Sequence, residues 1–162
     1  MIPETNNVKE QYNLLDDLAA GTYTEASSGQ RFLNLLIDGL LLRFGLSYVY
    51  GMGVGYLFYA ISPELYFDMF SDLEGFKLYM VGYLLNVPLW VFYYTFCEKV
   101  FKGYTLGKLL TGTKAIREDG QELSFKDALL RSLIRIIPFE AFSGFGTPWH
   151  DSWSKTTVVR TR

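Results

Sequence analysis

Residues 78–96 read LYMVGYLLNVPLWVFYYTF and carry no charge. A helix needs about 20 such residues, at ~1.5 Å each, to cross the ~30 Å hydrocarbon layer of a bilayer. The one proline, Pro88, is tolerated in such a helix because neighbouring groups re-satisfy the freed backbone. Residues 44–61 form a second charge-free window, rich in Gly, Tyr and Phe. Neither window alternates as a strand would, and two of this length exceed what the core of a small soluble domain needs. Composition agrees: 162 residues make one domain, and 49% hydrophobic with 17% aromatic is more apolar than a small water-soluble core requires.

The sequence therefore predicts an all-α membrane protein. It has two transmembrane helices, an interfacial amphipathic helix and a small cytoplasmic β-hairpin/strand element. Upstream of residue 44 the helical pattern continues without a breaker through Phe32, Leu33, Leu36, Ile37, Leu40 and Leu41. A helix over 32–61 would be ~45 Å long, so part of it must tilt or leave the hydrocarbon. A charge at the bilayer centre costs roughly 2.5–3.5 kcal/mol, whereas Arg near an end snorkels. The spans are accordingly placed at about 41–61 and 78–96, with Arg43 snorkelling and residues 31–38 in the headgroup zone. Gly51 and Gly55 form a GxxxG pair, which serves packing on the second span or dimerisation.

Charge sets the expected orientation. Between the spans, residues 62–77 hold Glu64, Asp68, Asp72 and Glu74 against one lysine, and Lys99, Lys102, Lys108, Lys114 and Arg117 follow the second span. The positive-inside bias predicts a cell (inner) membrane protein with both termini cytoplasmic. Residues 1–25 read as a polar cytoplasmic segment without a signal-peptide core, with a short amphipathic helix over 8–20; the membrane domain is 26–162. Ser62-Pro63-Glu64 predicts the start of a short helix on the outer face.

After the second span, Asp119-Gly120 between residues 114–117 and 121–123 predicts a β-hairpin, which the β-branched run 156–159 joins. Ser124 and Asp127 make a capping box opening an amphipathic helix toward Ile137, stopping near Pro138. The stretch 129–145, interrupted by Arg131, Arg135, Pro138 and Glu140, reads as lying in the inner interface, flanked by belt residues Trp149 and Trp153.

Arg31, Asn34 and Asp38 share one helix face, with Arg31 and Asp38 ~10 Å apart along the axis. That gap sends each to another partner: Asp151 for Arg31, and Arg131, Arg135 or Lys155 for Asp38. A half-buried carboxylate there makes a structural ion pair, the favoured reading, or exchanges a proton or small cation. His150 beside Asp151 admits a proton relay, although hydrogen bonding that anchors a turn is the simpler role. Cys97 and His150 are single and fall short of a zinc pattern. Ser143 and Ser152 lack a positioned base, and there is neither a phosphate loop nor a basic-aromatic patch. No enzyme, cofactor, metal or nucleic-acid partner is expected.

The blocks SSGQRFLNLLID, GYTLGKLLTGTKAI, ALLRSLIRIIPFE and WHDSWSKTTVV, in this order over 26–160, resemble the RDD family of membrane proteins, named for one arginine and two aspartates. The resemblance matches these to Arg31, Asp38 and Asp151, with lesser matches at Gly29, Gly107, Lys108, Gly112, Arg131 and Thr157. It implies transport of an unidentified ligand, with cation/proton antiport for some members. Longer relatives insert a further span before the second aspartate, for which the distance from Arg131 to His150 leaves no room. Two functional readings follow. One is a transporter of a small ligand, or of a monovalent cation or proton, acting as an oligomer with a polar cluster of Arg31, Asn34, Asp38, Arg131, Arg135, His150 and Asp151 at the cytoplasmic interface. The other is an accessory or scaffold subunit of a larger membrane complex.

Overall fold

The computed structural model describes residues 23–137, 140–143 and 148–161. The helix expected over 8–20, nearly all of the polar segment 1–25, and positions 138–139 and 144–147 of the stretch 129–145 lie outside the described residues.

Two long helices carry the fold, Ser28–Ile61 and Gly75–Val100, both long and apolar enough to cross a membrane. The first comprises α1 (Ser28–Leu40), a π-helical segment (Leu41–Leu46) and α2 (Ser47–Ile61). Ser27 caps it in a reciprocal box with Gln30, which satisfies amide groups that the first turn leaves unpaired. The widened turn begins where the polar stripe of α1 ends. Within it only Leu42 is buried, against Tyr93 and Tyr94 of the second long helix. Between the long helices, Ser62 caps α3 (Pro63–Phe70) by accepting from the Leu65 N–H at 3.2 Å, as the sequence predicts. Tyr66, Phe67 and Phe70 of α3 pack edge-on or tilted against Phe58, Tyr59 and one another. The second long helix, α4 (Gly75–Val100), contains Pro88.

The remainder is a small mixed module. It comprises α5 (Leu106–Thr111), β1 (Thr113–Arg117), α6 (Phe125–Ile134), the single turns α7 (Glu140–Ser143) and α8 (Trp149–Ser152), and β2 (Thr156–Arg160). β1 and β2 pair antiparallel, Thr113 opposite Arg160 and Arg117 opposite Thr156. The chain entering α1 runs along the other edge of β2, Ala26 N–H donating to the Val158 carbonyl and Arg160 N–H to that of Thr24.

The predicted pairing of the two β-branched segments is present, but the hairpin is not. Asp119-Gly120 turns the chain, and Arg117 N–H reaches the Gln121 carbonyl at 3.0 Å. The edge of β1 is then taken at Ala115 by the Gly103 carbonyl, at 2.9 Å, so the second strand cannot extend. Leu123 instead packs under the sheet with Ala26, Ala115 and Val158.

The helices are polar inside and apolar outside. α1 buries Asn34 and Asp38 and exposes Phe32, Leu33, Leu35, Leu36 and Leu40. α6 does the same: Arg131 and Ser132 are buried, and Leu130 and Leu133 are exposed. The predicted amphipathic helix is present, and its charged face is turned to protein. α6 packs along α4, joined by Thr95 Oγ1 to Ser132 Oγ at 2.5 Å, and just beyond its end Tyr83 Oη donates to the Ile136 carbonyl at 2.8 Å. Its charges face protein because α4 supplies a carboxylate to receive them, and the helix ends at Ile134 rather than Ile137. The capping box of Ser124 and Asp127 forms as predicted.

Glycines mark where backbones must touch. A Cβ on Gly107 of α5 would sit 2.5 Å from the Asn34 carbonyl oxygen, so α5 crosses α1 at backbone contact. Gly51 and Gly53 face open space, so the glycines of α2 do not serve packing on α4. Gly107→Ala is expected to cost about 1–3 kcal/mol through forced separation of α1 and α5. Gly51→Ala should stay within about 0.5 kcal/mol. Thermal unfolding of the two variants in detergent checks the pair, and equal melting would contradict the crossing.

Candidate functional site

Two residues beyond the charge-free window of α4 stands Glu98, fully buried. Its Oε1 accepts from Lys108 Nζ at 2.7 Å and from Arg135 Nη2 at 2.8 Å, and its Oε2 accepts from Arg131 Nε at 2.9 Å. One carboxylate thus joins α4, α5, α6 and the turn after α6. Arg135 also lies 4.4 Å over the Tyr94 ring. Sequence reasoning missed Glu98. The signal available was a single acid among Lys99, Lys102 and Lys108 at the end of an apolar helix.

Arg131 continues the network. Its Nη1 donates to Asp151 Oδ1 at 2.5 Å and also to Thr156 Oγ1, while the other Asp151 oxygen accepts from Arg31 Nη1. The expected partnership of Arg31 with Asp151 is what the structure has, and Arg131 shares that carboxylate. His150 Nδ1 lies 2.5 Å from Glu140 Oε1, so the histidine adjoins Asp151 but bonds to the acid of α7.

Asp38 does not join these ion pairs. It is expected to meet Arg131, Arg135 or Lys155; instead, Oδ1 accepts from Tyr93 Oη and the Gly107 N–H, both at 2.8 Å, and Oδ2 from Thr105 Oγ1 at 2.6 Å. The backbone contact at Gly107 is the reason, since it brings the start of α5 onto Asp38 before any basic side chain reaches it. Asn34, one turn earlier, sits 2.5 Å from Thr111 Oγ1 and 3.0 Å from Thr113 Oγ1. A half-open cavity of about 310 Å³ lies against this face, lined by Arg31, Asn34, Asp38, Lys108, Arg135 and His150, with Glu140 and the apolar Phe32 and Leu35. The structure therefore brings Arg31, Arg131 and Asp151 together, joins Arg135 to them through Glu98, and sets Asn34 and Asp38 beside them across the cavity.

Burial lowers the Lys108 ammonium to about 8, against the pull of Glu98 and with help from Arg131 and Arg135. Burial would raise Asp151, but Arg131, His150 and Arg31 together outweigh it and hold the carboxyl at about 2. Burial, then the charge of Arg135, lowers His150 to about 4 despite its bond to Glu140, so at neutral pH the ring is uncharged.

Two apolar helices of membrane-crossing length, with charges gathered inside and hydrocarbon side chains outside, give this chain the form of a membrane protein with a polar interior. The sequence model of the RDD family matches residues 25–153, and the chain belongs to the RDD family. No curated protein and no solved structure matches it.

Glu98→Gln keeps the shape but leaves three buried cations without their shared counter-charge. A loss of about 3 kcal/mol or more is expected, read as a lower unfolding temperature and faster proteolysis after residue 100. A second expectation concerns pH. Because the folded state disfavours protonated His150, its contribution is complete above pH 6.5 and is lost as pH falls toward about 4. Between pH 7.5 and 5 the folded state should lose about 2 kcal/mol, and His150→Gln should flatten that slope in unfolding curves.

Proposed function

We propose that this RDD protein is a two-span protein of the cell membrane, with both termini cytoplasmic, that binds and moves a small ligand, a monovalent cation or proton included, through the cavity beside Asp38. The observation that carries this reading is the contrast among buried carboxylates. Glu98 and Asp151 each hold charged basic partners, and Glu140 bonds to the uncharged ring of His150, whereas Asp38 has only hydroxyl and backbone donors among the described residues and lines an accessible cavity. A buried carboxylate without a counter-charge is costly unless something charged visits it. The polar-in, apolar-out helices support the membrane setting, and the basic residues after α4 support the orientation.

A single copy offers two long helices, fewer than a carrier ordinarily wraps around a path. No residue of α2 is buried, so much of this helix is free to meet other copies. The same faces favour the second reading, an accessory subunit docked on a larger membrane complex.

Purified protein in liposomes, given a pH gradient and sodium or potassium, separates the two. Transport predicts flux above empty liposomes that falls at least about tenfold in Asp38→Asn, with melting unchanged. No flux, together with one partner copurifying in fixed ratio, would replace transport by the accessory role.

A further inference from the structure

We propose that the cavity beside Asp38 is a headgroup site for an amino-phospholipid, with the ammonium at Asp38, the phosphate on the Arg31 and Arg135 side, and the acyl chains leaving over Phe32 and Leu35. The inference rests on the reading of Asp38 as a ligand site and names the class of that ligand.

Size is the first argument. The cavity holds about 310 Å³, roughly ten waters at ~30 Å³ each, and a bare monovalent cation would leave most of it unfilled. An organic group of a dozen or so atoms fits.

Charge is the second. Both signs line the walls, Asp38 and Glu140 against Arg31, Lys108 and Arg135. Lys108 is committed to Glu98, and Glu140 is hydrogen-bonded to the uncharged ring of His150. Asp38 has no cationic partner among the described residues, and its contacts use three of about four acceptor positions that a carboxylate has. Arg135 holds Glu98 through Nη2, but its buried Nη1 lacks any partner among the described residues, as does Nη2 of Arg131. Adding a lone cation or a lone anion would unbalance these walls, whereas a zwitterion answers both. The open position on Asp38 calls for an N–H donor, which a primary ammonium has and a trimethylammonium lacks.

The rim is the third. Phe32 and Leu35 are 58% and 42% exposed, stand on the outward face of α1, and adjoin the charged floor within the same cavity. A free phosphoethanolamine has no use for them, whereas a lipid lies along them with its chains in the surrounding hydrocarbon.

The test uses the full chain, stripped of lipid in detergent, with dihexanoyl phosphatidylethanolamine, phosphatidylglycerol, phosphatidylcholine and free phosphoethanolamine as probes. Thermal shift and native mass spectrometry give the readouts. The ethanolamine lipid should bind at least about tenfold tighter than the other two lipids, the worth of one charge-assisted hydrogen bond. Asp38→Asn should erase that preference. The exposed-rim variant Phe32→Ser with Leu35→Ser, which leaves buried contacts alone, should weaken the lipid and not free phosphoethanolamine. Equal binding of the three lipids, a preference that survives Asp38→Asn, or free phosphoethanolamine binding as tightly as the lipid would each overturn the proposal. Sodium or potassium flux in liposomes of phosphatidylcholine alone, without preference for the ethanolamine lipid, would overturn this ligand class and leave transport standing. Preferential lipid binding without flux would do the reverse.

Discussion

A single carboxylate holds the small module to the long helices. Glu98 is the point where Lys108, Arg131 and Arg135 converge; among the described residues Lys108 and Arg135 pair with no other acid, and Arg131 pairs with Asp151 besides. Desolvating four charges is expensive, and it is sustained only because each guanidinium or ammonium meets oxygen at hydrogen-bond distance and because the wider cluster is balanced. Arg31, Lys108, Arg131 and Arg135 stand against Asp38, Glu98, Glu140 and Asp151, with His150 uncharged. The buried charge therefore sums to zero, while the partnerships remain uneven: three cations crowd one acid and Asp38 receives none.

That cluster also explains why the helices are built inside out. In water an amphipathic helix turns its apolar stripe inward; here α1 and α6 turn leucine and phenylalanine outward and arginine, asparagine and aspartate inward. Such a surface is at home in hydrocarbon, where unsatisfied polar groups are the costly ones and apolar contact is available everywhere. The arrangement extends below the hydrocarbon boundary that charge alone would set at about residue 41, since Phe32, Leu33, Leu35 and Leu36 are all exposed.

What the sequence made legible follows from how local each signal is. The long helices, the caps at Ser62 and Ser124 and the strand over 156–159 rest on runs and neighbours, and these are present. The pairing of Arg31 with Asp151 was readable because the ~10 Å rise to Asp38 forbade the alternative and few acids remained. The hairpin was not excluded by anything nearby: Gly103, which occupies the competing edge, lies well upstream of the turn. Glu98 was hidden for a related reason. Its partners come from 10, 33 and 37 residues further along, and an acid flanked by lysine reads as a solvated helix end until tertiary packing encloses it. The neutral setting of Asp38 was equally out of reach, because it depends on a glycine whose missing side chain lets α5 lie directly on α1.

The latch and the cavity are not separate parts. Lys108 and Arg135 hold Glu98 and also line the space beside Asp38, and Arg31 lines that space while holding Asp151. A charged group entering the cavity therefore acts on the side chains that fasten α5 and α6 to α4. Binding there and the firmness of that attachment must then be linked, each changing the other by the same free energy. An anion drawn to Arg135 competes with Glu98, and a cation drawn to Asp38 repels Lys108. A ligand carrying both charges would leave the balance at Glu98 unchanged. The basic residues that fasten the module are thus the same ones that set the charge of the cavity wall.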